Sequence, residues 1–502
     1  MADLKLFNSL TRSLETFQPI HPGEARVYSC GPTVYNYQHV GNMRAYVFAD
    51  TLGRVLSFKG YDLKHVINIT DVGHLTSDAD AGDDKMEKAA ASAGKSAWDI
   101  AAYYQQVFEA DLRRLNIRPV QHPKATEYVD KMVAWNAEIE GKHAYRLDGG
   151  LYFDVSTVPD YGRLARASTD EGEGRIETVE GKRHAADFAL WRTTPPGESR
   201  QMEWDSPWGR GAPGWHIECS VMSAELLGHP FDIHTGGIDH REIHHPNEIA
   251  QNQAKQMAHQ AHACGPDTGA RIWMHNNFLV DRRGKMSKST GDFLTLQALV
   301  DRGYHPLAYR LLCLQAHYRS ELEFTWEGLG AALVRLKRIA QLMDELRSKL
   351  PSFAPWAYDQ VRRKRAERLV YEFDSQRLPV VMAAFNEAIS DDLGTPAALT
   401  ILESFLKDRS ISDAERFFGA GIMDKVFGLR LMTLNKRALR RKPKAAKRRR
   451  DMTKSWIDEQ LALRTHARAA KDFAASDAIR DELAAKGIEV MDGDPLGWEW
   501  KL

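Results

Sequence analysis

The 502-residue chain is poor in the features that mark extracellular or membrane proteins. It has only four cysteines, Cys30, Cys219, Cys264 and Cys313, too few and too scattered for a disulfide scaffold, so a reducing compartment is expected. No apolar run approaches the roughly 18 residues of a membrane span, and Met1 to Ile20 contains no signal-peptide core. These absences exclude a helical membrane protein and a disulfide-stapled secreted one, and make the cytoplasm the expected location. Net charge is also missing, since 68 basic side chains balance 68 acidic ones. Such a balance argues against an RNA binder until its distribution is considered. From Lys436 to Arg450, ten of fifteen residues are basic and none is acidic, so the counter-charge lies elsewhere. The run reads either as a solvated linker or as a contact with an RNA backbone, whose strength would fall with salt. One arm could do both.

What is present is a globular composition, 43% hydrophobic and 27% charged, in a chain long enough for about three domains. Two short stretches carry phosphate chemistry. His39-Val40-Gly41-Asn42 follows a strand-like run, Ala25 to Ser29, and a turn with Gly31 and Pro32; it precedes the helix-like Arg44 to Lys59. His39 therefore lies near a helix N-terminus, where backbone donors and the helix dipole favour phosphate. Lys285-Met286-Ser287-Lys288-Ser289 follows the apolar Asn277 to Val280 and a turn ending at Gly284. It sets two lysines three apart in a Ser-rich loop suited to closing over a ligand. Singly, these could be a packing histidine and a basic turn. Together they read as two sides of a grip on one triphosphate.

The pair resembles the His-Ile-Gly-His and Lys-Met-Ser-Lys-Ser signatures of class I aminoacyl-tRNA synthetases, with Asn42 in place of the usual fourth histidine. Asn can donate to phosphate or ribose but carries no charge. The resemblance implies a Rossmann-like domain that joins an amino acid to ATP and passes the acyl group to a tRNA 3′ end. It carries ATP binding onto His39 and Lys288, and catalysis onto His39, Asn42, Lys285 and Lys288. Magnesium is expected with ATP as its counterion.

Which amino acid is a question for the cysteines. Cys30 stands beside the first motif, and Cys219 closes Pro213-Gly214-Trp215-His216-Ile217-Glu218-Cys219. Downstream, His234, His240, His244 and His245 fall within twelve residues. Pro246 suits the first turn of a helix, which sets His244 at its mouth and Glu248 four residues on. Two thiolates, an imidazole and a carboxylate suit zinc, although the residues alone leave buried free thiols and solvated histidines open. The longer motifs resemble the cysteinyl-tRNA synthetase family over most of the chain: Tyr-x-Cys-Gly-Pro-Thr-Val-Tyr, Asn68-Ile69-Thr70-Asp71, Pro-Gly-Trp-His-Ile-Glu-Cys-Ser, Gly-Gly-x-Asp around Asp239, His-His-x-Asn-Glu and Trp273-Met274-His275. That resemblance implies one zinc ion per chain, held by Cys30, Cys219, His244 and Glu248. It implies substrate contacts at Gly31, Thr70, Trp215 and Asp239, and cysteine, ATP and the cysteine tRNA as partners of a monomer. Pro246 departs from a commoner glutamate and Glu242-Ile243 from a commoner Phe-Pro, changes that fall beside the ligands.

A metal beside the amino-acid pocket has a physical reason. Serine differs from cysteine by one atom, and shape rejects such a near-isostere by only about 1 to 3 kcal/mol. Ten-thousandfold discrimination needs roughly 5.5 kcal/mol. Zinc binds a thiolate well and a serine hydroxyl poorly, which can supply the gap.

Period and punctuation predict an α/β chain: a Rossmann-like, parallel-sheet catalytic domain over 1–290 with an insertion at about 120–212. A region over 291–350, which the resemblance implies contacts the tRNA stem, a helical bundle over 351–435 and the basic linker 436–450 follow. Helices are expected at Asp84 to Leu115, Leu333 to Leu350, Arg362 to Leu378 and Val380 to Asp408, the last broken at Asp391 to Pro396. The unit 451–502 reads as helices at Ile457 to Phe473 and Ser476 to Lys486, with Ser476 as N-cap. Its Arg468, Asp477 and Arg480 resemble the family's anticodon-recognition region, and Trp498 or Trp500 could pack in a core or stack on a base. Two other readings were open: a cysteine ligase acting on an amino sugar, which would lack this last unit, and a zinc-dependent RNA-binding module without catalysis. Asp84-Lys85-Met86-Glu87-Lys88 also partly resembles a family lysine motif linked with a pyridoxal-phosphate-dependent persulfide activity.

Overall fold

A computed structural model describes residues 2–72, 85–165, 180–259, 268–281, 284–285, 294–364, 369, 376–441 and 454–500. The chain opens with an antiparallel pair, β1 (Lys5–Asn8) and β2 (Ser13–Thr16), then runs through β3 (Glu24–Ser29), α1 (Val40–Phe58) and β4 (Asp62–Ile67). Next come α2 (Lys85–Ala93), α3 (Ala97–Arg114), α4 (Val129–Ile139) and the short strands β5 (Ala144–Leu147), β6 (Gly150–Phe153), β7 (Phe188–Thr193) and β8 (Gly211–Pro213). The central sheet is completed by β9 (Phe231–Gly237) and β10 (Ala270–Asn276), with α5 (Trp215–Leu227) before β9 and α6 (His244–His259) between them.

Four strands pair in the order β10-β9-β3-β4, all parallel. Parallel strands are covered on both faces and so read as nearly unbroken apolar runs; Ala25, Val27, Tyr28, Phe231 and Ile233 are all buried. Sequence neighbours β3 and β4 lie side by side, while β9, some two hundred residues on by arithmetic from 29 to 231, pairs with the other edge of β3. That reversal opens a crevice beyond the strands' C-terminal ends, the usual ligand position in open α/β sheets. Strands β5 to β8 form a separate antiparallel sheet in sequence order, which is where the Gly- and Pro-rich part of the expected insertion falls.

Several expected boundaries move. The helix expected over Asp84 to Leu115 is broken at Gly94, whose φ of +60° favours glycine, and restarts after the Ser96 N-cap. The helix after His39 begins at Val40 rather than Arg44. Among the described residues, Phe353–Arg363 and Arg377–Ser390 are helical on either side of the expected Arg362 to Leu378 helix, and most of the intervening residues lie outside the description. The break at Asp391 to Pro396 does separate Arg377–Ser390 from Thr395–Lys407. In the last unit Asp472, not Ser476, caps the helix Phe473–Ala485 by accepting from the Ala475 amide. Ser476 lies inside that helix and is buried.

The helices over 306–427 pack against α1 through a buried charge network. Asp50 accepts from Arg54 Nε and Arg310 Nη2, each at 2.6 Å, and Arg310 donates onward to the Phe427 and Leu115 carbonyls. Gly428, at φ +62°, ends the helix Asp413–Phe427, and a Cβ there would meet both guanidinium groups at 2.8 Å. The last unit has its own core of Ile457, Leu483, Ile488 and Trp498. It is anchored to the helix Trp326–Lys349 by buried Lys337, which pairs with Asp494 at 2.8 Å and with Glu499. Arg440 lies 3.6 Å from the Trp498 ring centroid and Arg441 N donates to Glu499. The start of the basic run is thus packed, not a free arm, whereas 442–450 lie outside the described residues.

Candidate functional site

The crevice holds a cavity of about 350 Å³. Cys30 and Gly31 come from the end of β3, Asn68 and Thr70 from just past β4, Asp239 from just past β9, and Trp215, Cys219 and His244 from the first turns of α5 and α6; all line it. His39 and Asn42 line it too. Gly31 is obligatory here, because a Cβ would lie 1.5 Å from the Asn68 carbonyl oxygen; its amide donates to Asn68 Oδ1 at 2.7 Å. A larger cleft, about 1470 Å³, lies beside the N-terminal half of β4 and is lined by Arg54, Arg118 and Lys425. It contains none of the motif residues, so the chemistry belongs to the smaller cavity.

His39 is the N-cap of α1. Its Nδ1 accepts from the Asn42 amide at 3.2 Å, which leaves the imidazole proton on Nε2. Asn42 Nδ2 donates to Gln38 Oε1 at 2.8 Å. Lys285 pairs in register with Val280 in a short strand that follows Asn276 to Leu279, four residues of the cavity wall. Lys288 lies outside the described residues.

Opposite, ligand atoms of Cys30, Cys219, His244 and Glu248 all fall within 4.8 Å of one another. Cys219, His244 and Glu248 are buried and Cys30 is partly so. His244 Nε2 and Glu248 Oε1 approach to 3.1 Å, yet that buried oxygen accepts no hydrogen bond of good geometry. An orphaned carboxylate oxygen, an imidazole and two sulfurs are donors that together could hold a metal ion. Cys30, His234, His245 and Glu248 form a second convergent group. His234 Nε2 is engaged with Glu248 Oε2 at 2.8 Å, while His245 Nε2 lies 3.3 Å from Cys30 Sγ with its Nδ1 on His275 Nε2 at 2.8 Å, and this group holds one sulfur instead of two.

The buried groups share charge unevenly. A hydrogen bond from Cys30 outweighs burial at Cys219 and holds its thiol down to about 6, while burial pushes Cys30 up. Burial opposes charge on His244 and Glu248, but Glu248 and Cys219 raise His244 to about 10, and His234 and His244 together hold Glu248 down to about 2.

A ring of histidines backs these groups. His216 Nδ1 lies 2.9 Å from His244 Nδ1, orienting the opposite nitrogen toward the cluster. His275 continues from His245 to Ser9 Oγ at 2.8 Å. Reading the sequence missed His216 and His275 as supporting residues, although His216, three residues before Cys219 on one helix face, gave a signal. Of the expected substrate contacts, Trp215 stacks on His244 at 4.3 Å between centroids, and Thr70 Oγ1 donates to buried Glu218 at 2.8 Å. Distant from this cavity in sequence, Arg468 pairs with Asp492 at 2.8 Å and Arg480 with Asp477 at 3.1 Å. Trp498 is buried in the last unit's core and Trp500 packs against it.

Residues 16–333 match the family model for the catalytic domain of class I (C) tRNA synthetases. The chain is 62% identical over 502 residues to a cysteine-tRNA ligase of Novosphingobium aromaticivorans, covering all of this chain and 97% of the relative. It is 51% identical over 516 residues to a cysteine-tRNA ligase of Zymomonas mobilis, covering 100% and 98%. Among solved structures, the ternary complex of Agrobacterium radiobacter LeuRS with tRNA and LeuAMS has a TM-score of 0.54 at 11% identity, covering 82% of this chain and 84% of that one. That likeness is one of fold.

Proposed function

We propose, from the premise that this chain belongs to the cysteine-tRNA ligase family of class I tRNA synthetases, a division of labour within its cavity. The enzyme activates cysteine with ATP, giving cysteinyl-adenylate and pyrophosphate, and transfers the cysteine to the 3′ end of its tRNA. The relatives span the last unit as well as the catalytic domain, which supports a tRNA substrate over an amino sugar.

Cys30, Cys219, His244 and Glu248 would hold zinc. When bound, the ion supplies a soft Lewis acid that favours a sulfur ligand over a hydroxyl. The chain's own groups do the rest. Gly31 and Trp215 bound the amino-acid subsite, and Asp239 offers a carboxylate to the substrate ammonium. The His39 Nε2 proton and the α1 N-terminus face the phosphates from one side. Lys285 and Lys288 close on them from the loop, Lys288 stabilising charge as pyrophosphate leaves. The attacking carboxylate needs no base, so positioning and charge dispersal carry the step. Magnesium accompanies ATP. Arg468, Asp477 and Arg480 form a polar face for the anticodon. A cytoplasmic monomer completes the reading.

The observation that carries this reading is the convergence of two sulfurs, an imidazole and an orphaned carboxylate oxygen on the same cavity as His39. Cysteine-dependent ATP to pyrophosphate exchange, measured before and after zinc chelation and followed by tRNA charging, tests it. Exchange that survives metal removal, or comparable activation of serine by the zinc-loaded enzyme, refutes the assigned role of the metal.

A further inference from the structure

The transfer step makes a demand that the cavity walls do not meet. A 3′ hydroxyl must reach an activated carboxyl inside a cavity of about 350 Å³, which admits a single strand but no duplex. The unpaired end must therefore cross the rim. Tyr35, Gln38 and His39 line the cavity, and Tyr37, between them, turns outward with 39% of its surface exposed. Its hydroxyl meets that of Tyr103 on α3 at 2.9 Å, and Tyr103 is 44% exposed. Tyr104 packs edge-on against both rings at 5.1 Å. Two lysines flank the group, Lys85 Nζ at 5.8 Å from the Tyr35 ring and Lys95 Nζ at 5.7 Å from the Tyr103 ring.

A staple between loop and helix would bury such rings. Here they stay open beside cations at the mouth of the active site, the pairing of π-faces and positive charge that binds single-stranded nucleic acid without reading its sequence. We infer that Tyr37 and Tyr103, flanked by Lys95, form a stacking platform for the unpaired 3′-terminal nucleotides of tRNA as they enter the cavity. This rests on the ligase reading above and adds positioning residues for its second half-reaction.

The test uses the full-length zinc-loaded enzyme with Tyr37→Ala, Tyr103→Ala and Tyr103→Phe, and two RNAs: intact tRNA and the same tRNA trimmed of its last three nucleotides. Cysteine-dependent pyrophosphate exchange should be unchanged in all three variants. Both Ala variants should lose on the order of tenfold in kcat/KM for intact tRNA, the size of one stacking contact. Tyr103→Phe keeps the ring and loses only the hydroxyl contact, so it should charge like the parent. All variants should bind trimmed tRNA as the parent does. Charging of intact tRNA at the parent rate by both Ala variants overturns the inference. So does equal weakening toward trimmed tRNA, or loss of exchange in both, since the rings would then serve another surface or the adenylation pocket. A parent enzyme without cysteine-dependent exchange refutes the ligase reading instead, and the platform with it.

Discussion

Replacing Asp50 by Asn should loosen the joint between the catalytic sheet and the helices that follow it. Asp50 is 3% exposed, and its carboxylate accepts at 2.6 Å from both Arg54 and Arg310 and at 3.0 Å from the Arg118 amide. Burial alone would raise its pKa, but the guanidinium groups of Arg54, Arg310 and Arg118 outweigh it and hold the carboxyl well below its usual range. Asn preserves the shape and one acceptor while leaving fully buried Arg310 without its counter-ion. Two charge-assisted hydrogen bonds at about 1.5 to 3 kcal/mol each agree with the roughly 3 to 5 kcal/mol measured when buried pairs lose one partner. The assay is urea unfolding of the parent, Asp50→Asn, Arg310→Met and the double variant. Because the chain has more than one core, the first transition is the one to follow. The double variant should be less destabilised than the sum of the singles by at least about 1 kcal/mol. An Asp50→Asn midpoint equivalent to less than about 1 kcal/mol, or strict additivity, would show that the network carries no such load.

Cys219→Ser should lower bound zinc, measured by metal analysis after dialysis, and narrow the preference for cysteine over serine in pyrophosphate exchange; full zinc occupancy would contradict the ligand assignment. Gly31→Ala, with its Cβ driven into the Asn68 carbonyl, should cut cysteine-dependent exchange at least tenfold, and a variant of parental activity would mean that the β3 terminus yields freely. Lys288→Ala should slow adenylation far more than it weakens cysteine binding, and pre-steady-state kinetics separate the two. His65 is buried, and burial aided by Arg118 lowers it to about 3, against about 6.5 when unfolded. The unfolded chain therefore takes the proton first as pH falls. This stabilising contribution is complete above about pH 6.5 and diminishes below it, by about 2 kcal/mol at pH 5. His65→Gln should flatten the stability profile between those values; an unaltered slope would assign the acid sensitivity elsewhere.

The convergent group was legible in part because some of its residues carry unusual chemistry. Cys30, Cys219 and the histidine cluster are conspicuous in a chain with four cysteines, Pro246 marks the start of the helix that carries His244 and Glu248, and the family resemblance picked out the four that converge. The outer ring was harder to read. His216 and His275 act through contacts with His244 and His245 that only the folded crossovers create. Local signals misled where tertiary packing dominates: Ser476 is a good cap by type, but it is buried within a helix that Asp472 begins. The basic run was read from charge alone, which does not reveal that Arg440 lies against the Trp498 ring. Helix starts also shifted, as at Val40, because a histidine cap is a weaker sequence signal than serine or aspartate.

The four converging groups come from three distant parts of the chain, the end of β3 and the starts of α5 and α6, so Cys30 and Glu248 are 218 residues apart. During synthesis the first thiol emerges long before the carboxylate that completes its group. No fragment lacking α6 can assemble the cluster, and a chain that has failed to bring β9 beside β3 scatters it. On the proposed reading, amino-acid selection would thereby be a late-appearing property of the whole domain. A copy that fails to form the cluster would lose the metal's preference for a sulfur over a hydroxyl ligand, which for a translation enzyme risks attaching the wrong residue.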